Sequence, residues 1–122
     1  MKTRLQHLSM AVIGTAALAS SAAFGHPSLV RSQPVAGSKA KPPEQVSLWF
    51  SEKIEPVFNR IEVVDGSGTH FEAGKPKIDE SNGMHLRVGL KPLPAGSYSV
   101  HWRVSASDSH KMEGVFSFQV AP

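Results

Sequence analysis

From residue 45 to the end of the chain, apolar residues recur at every second position. Val46, Leu48 and Phe50 do so, as do Ile61 and Val63, Met84, Leu86, Val88 and Leu90, Tyr98, Val100, Trp102 and Val104, and Phe116, Phe118 and Val120. A helix facing a core repeats every three to four residues. Side chains of a strand alternate between two faces, so a period of two describes strands with one face in a core and the other in water. Turn-forming residues separate the runs: Pro34 to Gly37, Pro42-Pro43, Asp65-Gly66-Ser67-Gly68, Asn82-Gly83, and Pro92 to Gly96. The spacing predicts about seven strands, near 28–32, 45–51, 59–64, 69–73, 84–90, 97–105 and 114–120. The Asp65–Gly68 turn reads as a hairpin joining the third to the fourth. An all-β fold follows, a Greek-key β-sandwich or small barrel of the immunoglobulin-like kind.

The first 25 residues break this pattern. Lys2 and Arg4 precede an uncharged, Ala-rich stretch from Leu8 to Phe24, and Ala23-Phe24-Gly25 has the small-x-small form of a cleavage site. Residues 1–25 therefore read as a secretory signal peptide cut between Gly25 and His26, leaving 26–122 as one secreted domain. The alternative is an uncleaved anchor, but Ala, Ser, Gly and Thr make a poor spanning segment at this short length. No later run is long enough to cross a membrane, so no stable insertion is expected after cleavage.

Removing the leader takes two cations from the 13 Lys+Arg of the full chain and leaves them nearly balanced by the 10 Asp+Glu. A near-neutral domain gives no reason to expect nucleic acid binding. There is no cysteine. The domain must hold by its core alone, and no thiol is present to bind a soft metal or reduce an oxidised one.

Cleavage before His26 would create a chelator. An N-terminal histidine offers its α-amine and its ring Nδ1 from a single residue, closing a six-membered ring around a metal. Pro27 follows and has no N–H to give up, so the second backbone nitrogen cannot become a ligand, and the remaining donors must come from elsewhere in the fold. Asp108 and His110 are candidates, because residues i and i+2 of an extended chain point to the same side. Amine, two imidazoles and a carboxylate form an N,N,N,O set of the kind that suits Cu(II).

Three stretches then resemble the CopC family of copper-resistance proteins: the start His26-Pro27-Ser28-Leu29-Val30-Arg31-Ser32-Gln33-Pro34-Val35-Ala36-Gly37-Ser38, the segment Leu48-Trp49-Phe50-Ser51-Glu52, and the run from Leu93 to His110 closing with Gly114 and Phe116-Ser117-Phe118. The resemblance covers essentially all of 26–120. It implies a Greek-key barrel or sandwich that carries Cu(II) in the periplasm without catalysis, with His26, Asp108 and His110 as ligands. It makes Glu52 a candidate axial or neighbouring group, and it implies an inner-membrane copper transporter of the CopD kind as a possible partner. The chain departs from the family in two places. Residues 55–83 contain no Met, so the thioether Cu(I) site of some members is expected to be missing. Position 111 is Lys where Pro is frequent.

Strand alternation places Met84 on the inner row and His85, with His101, in solvent. His70, just after a turn, is expected to be exposed, and Met112 to lie in a loop. Tyr98 and Trp102 should pack the core. Trp49 is out of phase with its neighbours and either covers the far face or stands near the metal. Two other functions stay open at this level. One is an enzyme of the copper monooxygenase type, which also begins with a histidine chelate. The other is a plain secreted interaction module. A monomer is expected.

Overall fold

The computed structural model describes residues 27–122; the leader expected at 1–25 and the candidate ligand His26 lie outside the described residues. Eight strands form two four-stranded sheets. They are β1 (Leu29–Gln33), β2 (Lys39–Ala40), β3 (Gln45–Phe50), β4 (Arg60–Asp65), β5 (Glu72–Ile78), β6 (His85–Leu90), β7 (Gly96–Ser105) and β8 (Lys111–Val120). One sheet runs β1-β3-β6-β5 and the other β2-β8-β7-β4. The all-β sandwich expected from the alternation is thus what the chain adopts.

The core is the set of inward rows. Val46, Leu48 and Phe50 of β3 and Leu86 and Val88 of β6 face Ile61 and Val63 of β4, Tyr98, Val100, Trp102 and Val104 of β7, and Phe118 and Val120 of β8, all buried. Aromatic rings lock the two layers together. Phe50 of one sheet meets Trp102 of the other edge to face at 5.2 Å, and Tyr98 stacks on its cross-strand partner Phe118 within the second sheet at 5.6 Å. The Tyr98 hydroxyl donates to the carbonyl of Pro94, so the buried phenol is satisfied.

Two details differ from the sequence reading. β2 is an eighth strand, two residues long and parallel to β8. Two residues carry no period, and β2 exists only because Gln119 N–H reaches the Ser38 carbonyl and Ala121 N–H the Ala40 carbonyl. The other difference is the expected hairpin over Asp65–Gly68. The turn forms, with Asp65 N–H donating to the Thr69 carbonyl, but only the Val64–His70 bridge follows it. The chain then crosses to the opposite sheet, and β5 pairs with β6 over 72–78. β5 is an edge strand carrying Lys75, Pro76, Lys77 and a left-handed Gly74 (φ 88°), and its register breaks between Ala73 and Lys77. Such features discourage pairing with another chain at an open edge.

At one end of the sandwich three connections meet: 51–59 after β3, 79–84 before β6, and 106–110 between β7 and β8. Backbone bonds lace them together. Ile54 N–H donates to the Gly83 carbonyl, Glu55 N–H to the Ser105 carbonyl, and Ile54 bridges Ala106. Ile54 and Ala106 are themselves buried, which pins this end to the core.

Candidate metal centre

Asp108 and His110 sit on the β7–β8 connection. The strands pair as far as Ser105–Lys111, and the five residues between close a tight turn. Ala106 N–H donates to the His110 carbonyl at 2.8 Å and Ser109 N–H to the Ala106 carbonyl at 2.9 Å. Ser109 takes a left-handed conformation, φ 74°. The two side chains are therefore brought together by a turn and not, as the i, i+2 argument supposed, by an extended chain. The result is a contact all the same. One Asp108 oxygen accepts the His110 backbone N–H at 3.0 Å, and the other lies 2.8 Å from the His110 ring Nδ1. Both side chains are about half exposed, 49% and 65%. A carboxylate that binds its neighbour's backbone and ring together fixes that ring's orientation at the surface.

Glu52 is exposed on the adjoining 51–59 connection, one residue beyond Ser51. Ser51 is the anchor for the start of the described chain. Ser28 N–H donates to the Ser51 hydroxyl at 2.9 Å, the two hydroxyls are 3.2 Å apart, and Ser51 N–H donates to the Ser28 carbonyl at 2.9 Å. Pro27 is fully buried. The arm at 27–28, the Glu52 connection and the Asp108–His110 turn are thus laced to one end of the sandwich. Among the described residues, no three His, Asp or Glu side chains form a ready metal cluster. Asp108 and His110 are brought together; Glu52 stands on the neighbouring segment.

His85 is where the alternation argument went wrong. It does lie on the outer row of its sheet, opposite Met84 and Leu86, but it is not in solvent: its side chain is 16% exposed. Trp49, directly across from it on β3, stacks on the imidazole at 4.4 Å. Arg31 of β1 lies over the same indole, and Asp79 stands on the far side with its carboxylate 4.0 Å from Nδ1. Nε2 is buried without a hydrogen-bond partner. Burial pulls the His85 pKa below its usual value, Arg87 adds to this, and Asp79 opposes it. The out-of-phase Trp49 was the available signal, since a large aromatic on an outer row covers whatever lies beside it.

Among the described residues, the other histidines, His70, His101 and His110, are exposed. His101 is on the outer face of β7, and His70 is held 2.8 Å from Glu72. Met112 belongs to β8 and packs on the core, not in a loop. Trp102 and Tyr98 pack the core as expected. Among the described residues, no helix is long and apolar enough to cross a membrane.

Comparison with known proteins agrees with this architecture. The family model described as the CopC domain matches residues 29–121. Copper resistance protein C of Xanthomonas campestris pv. juglandis is 36% identical over 115 residues, 89% of this chain and 91% of that protein. The copper transport protein CutJ of Bacillus subtilis is 32% identical over 80% of this chain, a match that spans only 18% of that longer protein. Among solved structures, CopC from Methylosinus trichosporium OB3b superposes with a TM-score of 0.74 at 32% identity, covering 80% of this chain and 95% of that one. PcoC, a methionine-rich copper resistance protein from Escherichia coli, gives 0.68 at 32% identity over 79% and 99%. These relatives are copper resistance and copper transport proteins, and the monooxygenase alternative finds no place among them. With the family model spanning both sheets, this chain belongs to the CopC family.

Proposed function

We propose that this protein, once its leader is cut between Gly25 and His26, binds one Cu(II) ion in the periplasm and carries or buffers it without catalysing a reaction. The observation that carries the reading is the lacing of three segments at one end of the sandwich. The arm that follows His26 is tied to Ser51, Glu52 is next to that anchor, and Ile54 bridges the turn that holds Asp108 and His110. The α-amine and Nδ1 of His26, a ring nitrogen of His110 and a carboxylate oxygen of Asp108 would supply a tetragonal N,N,N,O set. Glu52 would stand as an axial or neighbouring group. The copper names of the relatives support the choice of metal. The absence of Met from 55–83 supports a site for oxidised copper without the thioether Cu(I) site.

A surface site with half-exposed ligands suits a metal that must be handed on. An inner-membrane transporter of the CopD kind would be the acceptor or donor. The CutJ likeness, in which a stretch similar to this chain is a small part of a copper transport protein, supports such a partnership.

The test is a Cu(II) titration of protein beginning at His26, followed by visible absorption and electron paramagnetic resonance, beside a control with one extra residue before His26. One tight type-2 site, much weakened in the control, is the expected result. Equal binding by both would remove the amine from the site. No specific binding by either would leave a secreted interaction module as the better reading.

A further inference from the structure

We infer that Ser51 is a positioning residue for the copper ligand at the start of the mature chain; the inference rests on the copper reading above. β1 begins only at Leu29, and its ladder to β3 is irregular between Leu29 and Arg31. The arm ahead of it is held by the burial of Pro27 and by hydrogen bonds to Ser51. The Ser51 hydroxyl meets both the N–H and the hydroxyl of Ser28, and the Ser51 N–H returns to the Ser28 carbonyl. Ser51 is exposed, so the core does not call for a serine there.

The distance to the chelating residue is short. His26 is joined to Pro27 by one peptide bond, which keeps the two Cα atoms no more than about 3.8 Å apart. Pro27 has its φ fixed by the ring and is buried. Only that one stiff residue separates His26 from the serine clamp. A ligand held this way loses little conformational freedom when copper binds. A ligand on a loose arm must be ordered by the metal, and affinity falls accordingly. The clamp bonds are exposed, so water replaces them when the hydroxyl is removed and the fold itself loses little.

The experiment expresses the full chain, lets the cell export and process it, and checks by mass that the first residue is His26. Cu(II) affinity is then measured by chelator competition for wild type, Ser51→Ala and Ser51→Thr, each also made with one glycine before His26. Ser51→Ala is expected to bind about tenfold more weakly, with Ser51→Thr, which keeps the hydroxyl, close to wild type. In the glycine-extended series the Ser51→Ala effect should vanish, because the amine no longer chelates. The urea midpoint of the metal-free protein should barely move. A Ser51→Ala loss of the same size in the extended series would overturn the inference, as would a Ser51→Ala protein that binds as tightly as wild type. A first residue other than His26, or a wild type with no tight site, would overturn the copper reading itself.

Discussion

The imidazole of His85 lies face to face with the indole of Trp49, ring centroids 4.4 Å apart and planes 9° from parallel. The two residues are direct cross-strand partners on the outer row of β3 and β6. Arg31, the cross-strand partner of Trp49 on the other side, sets its guanidinium carbon 4.1 Å from the indole centroid. Asp79 completes the row, its N–H donating to the His85 carbonyl. A face that the alternation assigns to water is in this place a packed row of guanidinium, indole, imidazole and carboxylate.

The row makes stability depend on pH. His85 has a folded pKa below its unfolded value near 6.5. The unfolded chain therefore takes up the proton first. The neutral ring's contribution is fully present above about pH 6.5 and is lost as pH falls through that value toward the lower folded pKa. Asp79 faces the ring and opposes the shift, while Arg87 and Arg31 reinforce it. Urea unfolding of metal-free protein at pH 7.5 and pH 5 should give a larger loss of stability for wild type than for His85→Phe, which keeps the stack and cannot titrate. Equal losses would remove His85 from the pH response.

Gly114 sits directly across from Trp102, and a Cβ at position 114 would come within 2.6 Å of the indole ring. The ring is buried against Phe50 and has no easy retreat. Gly114→Ala should destabilise the fold by about 1–3 kcal/mol through overpacking, read as a lower urea midpoint with an unchanged slope.

Ser109 holds the Asp108–His110 turn in a left-handed conformation, φ 74°. Ser109→Gly should be neutral or slightly stabilising. Ser109→Val should cost about 1–2 kcal/mol, since a β-branched residue strongly resists that region. Thermal unfolding of both variants checks the sign.

Asp108 both orients His110 and stands as a proposed ligand. Asp108→Ala should weaken Cu(II) binding by about a hundredfold or more, at the upper end of what loss of an orienting partner alone produces. Affinity measured by chelator competition for Asp108→Ala and for a glycine-extended wild type would rank the two contributions.

Copper affinity should also fall as pH drops toward about 5, because amine and imidazole nitrogens must shed protons before they can bind the metal. A titration giving the same affinity at pH 5 and pH 8 would be incompatible with the four-donor set.

The sequence by itself determined the strands that carry the core. Val46-Leu48-Phe50 or Tyr98-Val100-Trp102-Val104 can bury a face only as extended chain, and this period is local, so it is legible without knowing any partner. It also put Asp108 two residues from His110, and a histidine one residue after a cleavable leader is expected to end. Tertiary structure alone decided the rest. Glu72–Ile78 has too few apolar residues to say which sheet it joins; β6 accepts it because an open backbone edge lies there. Lys39–Ala40 pairs only because β8 passes beside it. Alternation tells which face His85 is on, and only the neighbouring Trp49 decides that the face is covered. The lacing of Ile54 to Ala106 and of Ser28 to Ser51 joins positions far apart in the chain. Such pairings follow from where folded backbones come to lie side by side, which no local pattern encodes.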